Sequence, residues 1–388
     1  MGMWGATALG ILIGYRPPKR HTRLDHLSFW QKLGHLDLPG CGLLTAGLSL
    51  FLTGLNLGGG LYSWLNVRTI STLITGIVIL ISFGIYEWKG TQTGILHHDL
   101  FKGGKAQGRT FAVCLGLIFI EGVMLFSFIV FYPVMSTNLF ATDPLQVAAR
   151  SMPFWVCGCL STVAWGMAST RFRTIREPLF LGYLLFTAGV VGWATIQPDD
   201  GLTQLCLGGL AGFGFGAPLI LIISGVQLAT PHRLIATATA VTTSSRAVAA
   251  TVFTAIYSAA LNSRLDTNIP KQVGAATLQA GLPASSIGAF VTALVANDRA
   301  ALGAVPGVSS DIVSVGVVAL KQAFADSLCV VYIIAAPFGA VACVACFFLG
   351  DLRNTMNYRV DAPVEDLHAK QHHEAHGDGH GNQRIGGA

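Results

Sequence analysis

Two ionisable residues stand at the deepest points of long apolar runs, and any chemistry this chain performs would centre on them. Glu121 sits in Ile118-Phe119-Ile120-Glu121-Gly122, at the middle of a run over 110–132; Arg246 ends Thr242-Thr243-Ser244-Ser245-Arg246, near the middle of another over 235–261. On insertion scales a charge at the centre of a bilayer costs at least about 2.5 to 3.5 kcal/mol, so each of these residues requires a reason. One reading makes Glu121 a carboxylate that binds a proton and couples its charge to a bound molecule or to a conformational switch, and gives Arg246 a functional role of its own. The competing reading is a fixed interhelical hydrogen bond, or a Glu121 to Arg246 ion pair, that only holds helices together.

Three further patterns point to weaker chemistry. His372, His376 and His380 recur every fourth residue, with Glu374 and Asp378 between them, a spacing that on a helix would gather imidazoles for a metal. Gly377, Gly379 and Gly381 oppose that helix, so a solvated tail is the better expectation and metal binding the weaker one. Cys343-Val344-Ala345-Cys346 has CxxC spacing but lies within an apolar run, where cysteine acts as a small hydrophobe. Gly212, Gly214, Gly216 and Pro218 fall in one glycine-dense run; a dinucleotide fingerprint there would need a preceding strand and a following acidic residue, which are not available. Close helix packing with a kink at Pro218 is expected, and a bend that gates a pathway is the alternative.

The elements that must position these residues follow from composition. Only 11% of the 388 residues are charged and 52% are hydrophobic, against about 25% charged in a soluble globular chain. A water-soluble protein is excluded. Eight runs reach the roughly 20 residues a helix needs to cross the hydrocarbon core, at 38–57, 67–86, 110–132, 151–170, 178–197, 204–225, 235–261 and 327–349. These runs are apolar on all sides rather than alternating, so an all-α polytopic membrane protein is predicted and a β-barrel is not. Glycines 47, 54, 76, 84 and 116 lie within the runs, where small residues let helix backbones approach. All eight cysteines lie in or beside apolar runs, so neither a disulfide framework nor a zinc site is expected.

Lys and Arg set the orientation, because short basic loops stay in the cytoplasm. With 15–37 inside, alternate segments hold 17 of the 24 Lys and Arg residues, including Arg171, Arg173 and Arg176, whereas Pro198 to Thr203 carries only Asp199 and Asp200. The segment 262–326 becomes a 65-residue outer loop with short helices on the outer face, and 350–388 a disordered cytoplasmic tail. Residues 1–14 are apolar but too short for a span, and are expected to be the remnant of an upstream one. A catalytic cluster of Ser, His and Asp cannot be assembled near the midplane, and the basic residues form no nucleic-acid face. No enzyme activity, no cofactor and no nucleic-acid partner are expected. The lipid bilayer, a small molecule and protons are the expected partners.

Several short stretches together resemble a known family. They are Leu61-Tyr62-Ser63-Trp64, Ile85-Tyr86-Glu87-Trp88-Lys89-Gly90, Gly94-Ile95-Leu96-His97-His98-Asp99-Leu100-Phe101, Ile118-Phe119-Ile120-Glu121-Gly122, Gln227-Leu228-Ala229-Thr230-Pro231, Ala280-Gly281-Leu282-Pro283 and Asp361-Ala362-Pro363-Val364-Glu365. In this order they resemble the major facilitator superfamily, and within it the fungal trichothecene efflux pump group of fourteen-span drug:proton antiporters. The resemblance implies a partial facilitator fold: two linker helices at 38–86, a cytoplasmic loop at 87–109, and a C-terminal six-helix transport domain at 110–349. It also implies that most of the N-terminal six-helix half, with the family's proton-coupling network, has no counterpart in this sequence. The stretch from Gly166 to Arg176 resembles a degenerate cytoplasmic loop motif, with Thr170 at the acidic position followed by Arg171, which makes Gly166 and Arg171 gating-loop candidates. By the family's helix order the spans of Glu121 and Arg246 face one another. The function implied is proton-coupled efflux of small amphipathic compounds of mycotoxin or drug type, in the plasma membrane. Siderophore-iron uptake, and a non-transporting scaffold or partner subunit, are the alternatives.

Overall fold

A computed structural model describes residues 2–14, 28, 37–58, 62, 64–90, 100, 104–231, 234–350, 352 and 356. The basic segment 15–37 lies almost wholly outside the described residues, as do the His-His-Asp motif at 97–99 and the tail with His372, His376 and His380. The chain forms two units, one comprising 1–38 and 357–388, the other 39–356. In the first, α1 (Gly2–Gly14) is a 13-residue helix with no buried side chain.

The second unit opens with α2 (Leu38–Asn56) and α3 (Val67–Ile85), the latter running into a π-helical turn at Tyr86–Gly90. The Asn66 side chain caps α3 by accepting from the Arg68 N–H. Glycine brings the two helices together: a Cβ at Gly76 would lie 2.5 Å from the Phe51 backbone nitrogen, and one at Gly47 3.0 Å from Leu80. Gly84 and Gly116 face open space, so the helix approach expected of them does not occur.

Six long helices form the remaining bundle: α4 (Gly104–Leu139), α5 (Pro144–Phe172), α6 (Arg176–Trp193), α7 (Gly201–Ala229), α8 (Ile235–Gln279) and, after two short helices α9 (Ile287–Val295) and α10 (Arg299–Ala304), α11 (Ser310–Cys346). The central helix is α4, which packs against α5, α7, α8 and α11. Its sequence is apolar around the whole circumference, and such a helix is stable only when surrounded. Phe111, Leu117, Ile118, Val123, Met124, Phe128 and Tyr132 are accordingly buried. Phe128 stacks on Phe154 at 3.8 Å and on Trp193 at 5.3 Å between ring centroids, which joins α4 to α5 and α6.

Six helices are long and apolar enough to cross a membrane among the described residues: Leu38–Asn56, Val67–Gly90, Gly108–Leu139, Pro144–Phe172, Gly201–Ala229 and Ser310–Cys346. The other two predicted crossings coincide with α6 and α8 but are less apolar. Arg176 and Glu177 open α6, and α8 is rich in Ala, Thr and Ser. Both pack against bundle helices, where neighbouring side chains replace lipid.

The expected outer loop at 262–326 is largely helical. The 45-residue α8 runs on to Gln279 and α11 starts at Ser310, so only the stretch between them forms the connection. A separate small core explains the extension: Ile269 and Val273 of α8, Phe290 and Leu294 of α9, Leu302, and Ile312 of α11 bury one another beyond the main bundle. Continuing the two helices gives these apolar side chains a partner that a loop would not.

Basic residues gather at one end of the bundle, whereas acidic residues at the other end are mixed with Arg150, Arg264, Lys271 and Lys321. At one end the Gly350 N–H donates to Thr110 Oγ1 at 3.0 Å, and the Arg176 guanidinium lies 5.1 Å from the Phe347 ring centroid, near Arg171 and Arg173. Asp143 caps the opposite end of α5, and Asp199 and Asp200 precede α7. From Asp143 to Arg171 the helix rises roughly 42 Å at 1.5 Å per residue, more than the hydrocarbon thickness.

Candidate functional site

Glu121 projects from the middle of α4 with its side chain fully enclosed, and Arg246 reaches it from α8: Arg246 Nε is 2.6 Å from Glu121 Oε2. The approach depends on Gly122, where a Cβ would lie 2.8 Å from the Arg246 carbonyl oxygen and 3.1 Å from Ala249 Cβ. Two tyrosines fasten the same stretch of α4. Tyr183 of α6 donates to the Leu117 carbonyl at 2.6 Å, and Tyr257 of α8 donates to the Val123 carbonyl at 3.0 Å. The acid is therefore held by backbone contacts on both sides of its own turn.

The pair is incompletely satisfied. Glu121 Oε1 and Arg246 Nη2 have no hydrogen-bond partner among the described residues. Desolvating two charges costs several kcal/mol per ion, roughly, and a low-dielectric attraction repays it only when the remaining lone pairs and N–H groups are also bonded. Attraction between the two charges is thus set against the cost of desolvating them. Across the middle of the six helices Glu121 is the only carboxylate among the described residues.

The other sequence candidates are not part of this centre. Gly166 lies inside α5, where its carbonyl accepts from Thr170 Oγ1 at 2.8 Å; Arg171 is exposed and has no ion-pair partner among the described residues. The α5 to α6 turn is built instead by Arg173 in the left-handed region (φ 51°) and by Ser169 Oγ donating to the Thr174 carbonyl at 2.8 Å. Gly212, Gly214, Gly216 and Pro218 lie in an unbroken α7 and are buried. A Cβ at Gly212 would overlap the Phe154 carbonyl of α5, and one at Gly214 the Phe186 nitrogen of α6. Cys343 and Cys346 are free thiols, and no group of metal-binding side chains occurs among the described residues.

A polar network near the acidic end escaped the sequence reading. Arg150 Nε donates to Gln204 Oε1 at 3.0 Å and Nη2 to the Gly201 carbonyl at 2.9 Å; Gln204 Nε2 donates to Ser136 Oγ at 2.9 Å; Tyr132 donates to the Arg150 carbonyl at 2.9 Å. A glutamine within an apolar run was the available signal, because a buried amide needs partners. Gln204→Leu should strand Arg150 Nε and destabilise the bundle by about 1 to 3 kcal/mol. A lowered Tm of the purified protein, with an unchanged helical spectrum, is the expected observation.

A packed bundle of membrane-length helices with, among the described residues, one buried ion pair at its centre defines a multi-pass integral membrane protein. The chain belongs to the fungal trichothecene efflux pump (TRI12) family, whose sequence profile matches residues 3–384. It is 25% identical to the trichothecene efflux pump TRI12 of Fusarium sporotrichioides, over 88% of this chain and 58% of the relative. It is 26% identical to the MFS-type efflux pump MMF1 of Pseudozyma antarctica (62% and 44%), and 24% identical to the MFS-type transporter prx5 of Penicillium rubens (91% and 64%). The chain thus spans less than two thirds of the length of these relatives. A solved structure of a bacterial homolog of the human lysosomal transporter Spinster aligns at 16% identity over 82% of this chain and 67% of that chain, with a TM-score of 0.45.

Proposed function

We propose that this bundle is half of the transport machinery of a proton-coupled exporter of small amphipathic organic molecules, working in the plasma membrane with a second helical half. The buried Glu121 to Arg246 pair carries the reading. An incompletely bonded carboxylate inside a membrane bundle marks a proton or substrate pathway more readily than a stabilising contact. Two relatives named as efflux pumps favour export over uptake in this reading.

Exposure on α8 supports a pathway beside the pair. Thr243 and Ser244 are exposed next to Arg246. Polar side chains are costly against lipid, so this face would meet water or the second half. In the proposed topology α2, α3 and all six bundle helices cross the membrane, with the basic end in the cytoplasm and Gly166 and Arg171 beside a cytoplasmic gate. Epitope tags placed after Arg173 and after Asp199 should be reached from opposite sides of the membrane; labelling of both from one side would overturn this topology.

Transport itself is tested in inside-out membrane vesicles from the host. An imposed pH gradient should drive uptake of a fluorescent amphipathic probe, and deletion of the gene should make the organism hypersensitive to the exported toxin. An iron-starvation defect on deletion, without toxin hypersensitivity, would replace efflux by siderophore uptake. Replacing His372, His376 and His380 together should leave vesicle transport unaltered, as expected for a tail outside the pathway.

A further inference from the structure

Of the two charges in the central pair, only one is open to an incoming molecule. The Glu121 side chain has no exposed surface, whereas 22% of the Arg246 side chain remains exposed. Within the guanidinium, Nε and Nη2 are enclosed. The accessible donor is therefore Nη1, which makes no hydrogen bond among the described residues. A molecule arriving on this face meets a cation first, with the compensating carboxylate behind it. The pair is neutral as a whole, yet the potential close to Nη1 is positive because the nearer charge dominates at short range.

The surroundings complete a recognition surface. Thr243 and Ser244 are exposed beside Arg246. Phe253 lies seven residues further along α8, on the same stripe. It meets Phe119 of α4 at 6.2 Å and Phe338 of α11 at 4.9 Å, both edge-on. All three rings are only partly buried. This places a positive donor at one end and an aromatic shelf about two helical turns, roughly 10 Å, away.

We infer that Arg246 makes this face select molecules that join hydrogen-bond acceptors, such as carbonyl, ester or carboxylate oxygens, to an apolar body, and reject organic cations. The inference rests on the proposed placement of the pair beside the transport pathway. It deepens that reading by naming the polarity of the substrate. A cation would be repelled by the exposed guanidinium and, among the described residues, has no other carboxylate in the middle of the bundle to meet it. An acceptor gains a charge-assisted hydrogen bond while the Arg246 to Glu121 contact stays in place.

Binding to the purified full chain in nanodiscs tests this. Three probes share a dansyl-labelled eight-carbon chain and end in a methyl ester, a carboxylate or a trimethylammonium group. The wild type should bind the ester and the carboxylate about tenfold more tightly than the trimethylammonium probe, the scale of one charge-assisted hydrogen bond. The double variant Glu121→Gln/Arg246→Gln removes both charges and should bring the ratio close to one. Thr243→Trp, on the exposed face, should weaken all binding without reversing the order, and serves if the double variant does not fold. Equal or tighter binding of the trimethylammonium probe by the wild type overturns the inference. A preference that persists in the double variant does so too, as does the absence of binding above that of empty nanodiscs. These titrations use no pH gradient. Failure of proton-driven transport would therefore sink the proposed function and leave the selectivity standing, while failure here would leave proton coupling untouched.

Discussion

Glu121→Gln is expected to yield a folded, membrane-inserted protein whose transport no longer responds to pH. The amide matches the carboxyl in size, so the contacts of Gly122 with Arg246 and Ala249 survive, as do the two tyrosine bonds to Leu117 and Val123. The ability to exchange a proton is lost. On the proposed coupling role, protonation of Glu121 frees Arg246 and deprotonation restores the pair. The variant is fixed in the neutral condition, so its vesicle transport should be flat across the pH range in which the wild type changes. A wild-type pH profile in Glu121→Gln would eliminate Glu121 as the coupling group.

Stability gives the same substitution a second readout. Removing only Arg246, as Arg246→Leu, leaves a carboxylate enclosed without a counter-charge, and breaking a buried pair in this way costs about 3 to 5 kcal/mol. Removing both charges avoids the orphan. The double variant Glu121→Gln/Arg246→Leu should therefore be more stable than Arg246→Leu alone, by a margin that a double-mutant cycle in Tm would report. Additive losses would mean that the two side chains act independently despite their 2.6 Å separation.

The second large effect is steric. Adding one methyl group at Gly214 places it against the Phe186 nitrogen and within 2.6 Å of the Gly182 carbonyl, both backbone atoms of α6 that cannot rotate away. At Gly212 the obstacle is the backbone of Phe154 in α5. An alanine in an ordinary helix interior would gain about 0.5 to 1 kcal/mol over glycine. Overpacking usually costs about 1 to 3 kcal/mol, and more where backbone must move. The clash wins: Gly214→Ala should lower Tm sharply, and Gly212→Leu should abolish recovery of folded protein. Gly116→Ala supplies the control, because nothing lies within 4 Å of its Cβ position, and it should be neutral or mildly stabilising. Equal behaviour of Gly116→Ala and Gly214→Ala in thermal unfolding would contradict the packing described for α6 and α7.

The central ion pair and the glycine contacts of α7 were not equally legible in the sequence. Length and apolarity marked the six membrane-length helices among the described residues and also the less apolar α6 and α8, because a helix that must satisfy its own backbone in lipid leaves a distinctive composition. Glu121 and Arg246 stood out for the same reason, since an ionised group in such a run is conspicuous. Their pairing was one of two readings of the residues, and the resemblance in helix order added weight to it. Nothing in the spacing fixes the rotation of α4 against α8; a glycine at 122 and two tyrosine hydroxyls do that. The glycines divided in a way the sequence did not foretell, since Gly76 touches a neighbouring helix and Gly84 does not.

By itself the sequence determined that this chain enters a bilayer as helices, where its basic turns fall, and which two side chains are too expensive to be incidental. These are properties of single segments in a solvent, and burial free energy decides them locally. Tertiary structure alone decided that α8 and α11 continue beyond their apolar stretches, since Phe290 and Leu294 acquire partners there only when both helices extend. It also decided that Glu121 is sealed while Arg246 stays open. Which member of a charge pair stays accessible depends on how neighbouring helices rotate to fill space, and that is settled by packing between segments distant in the chain.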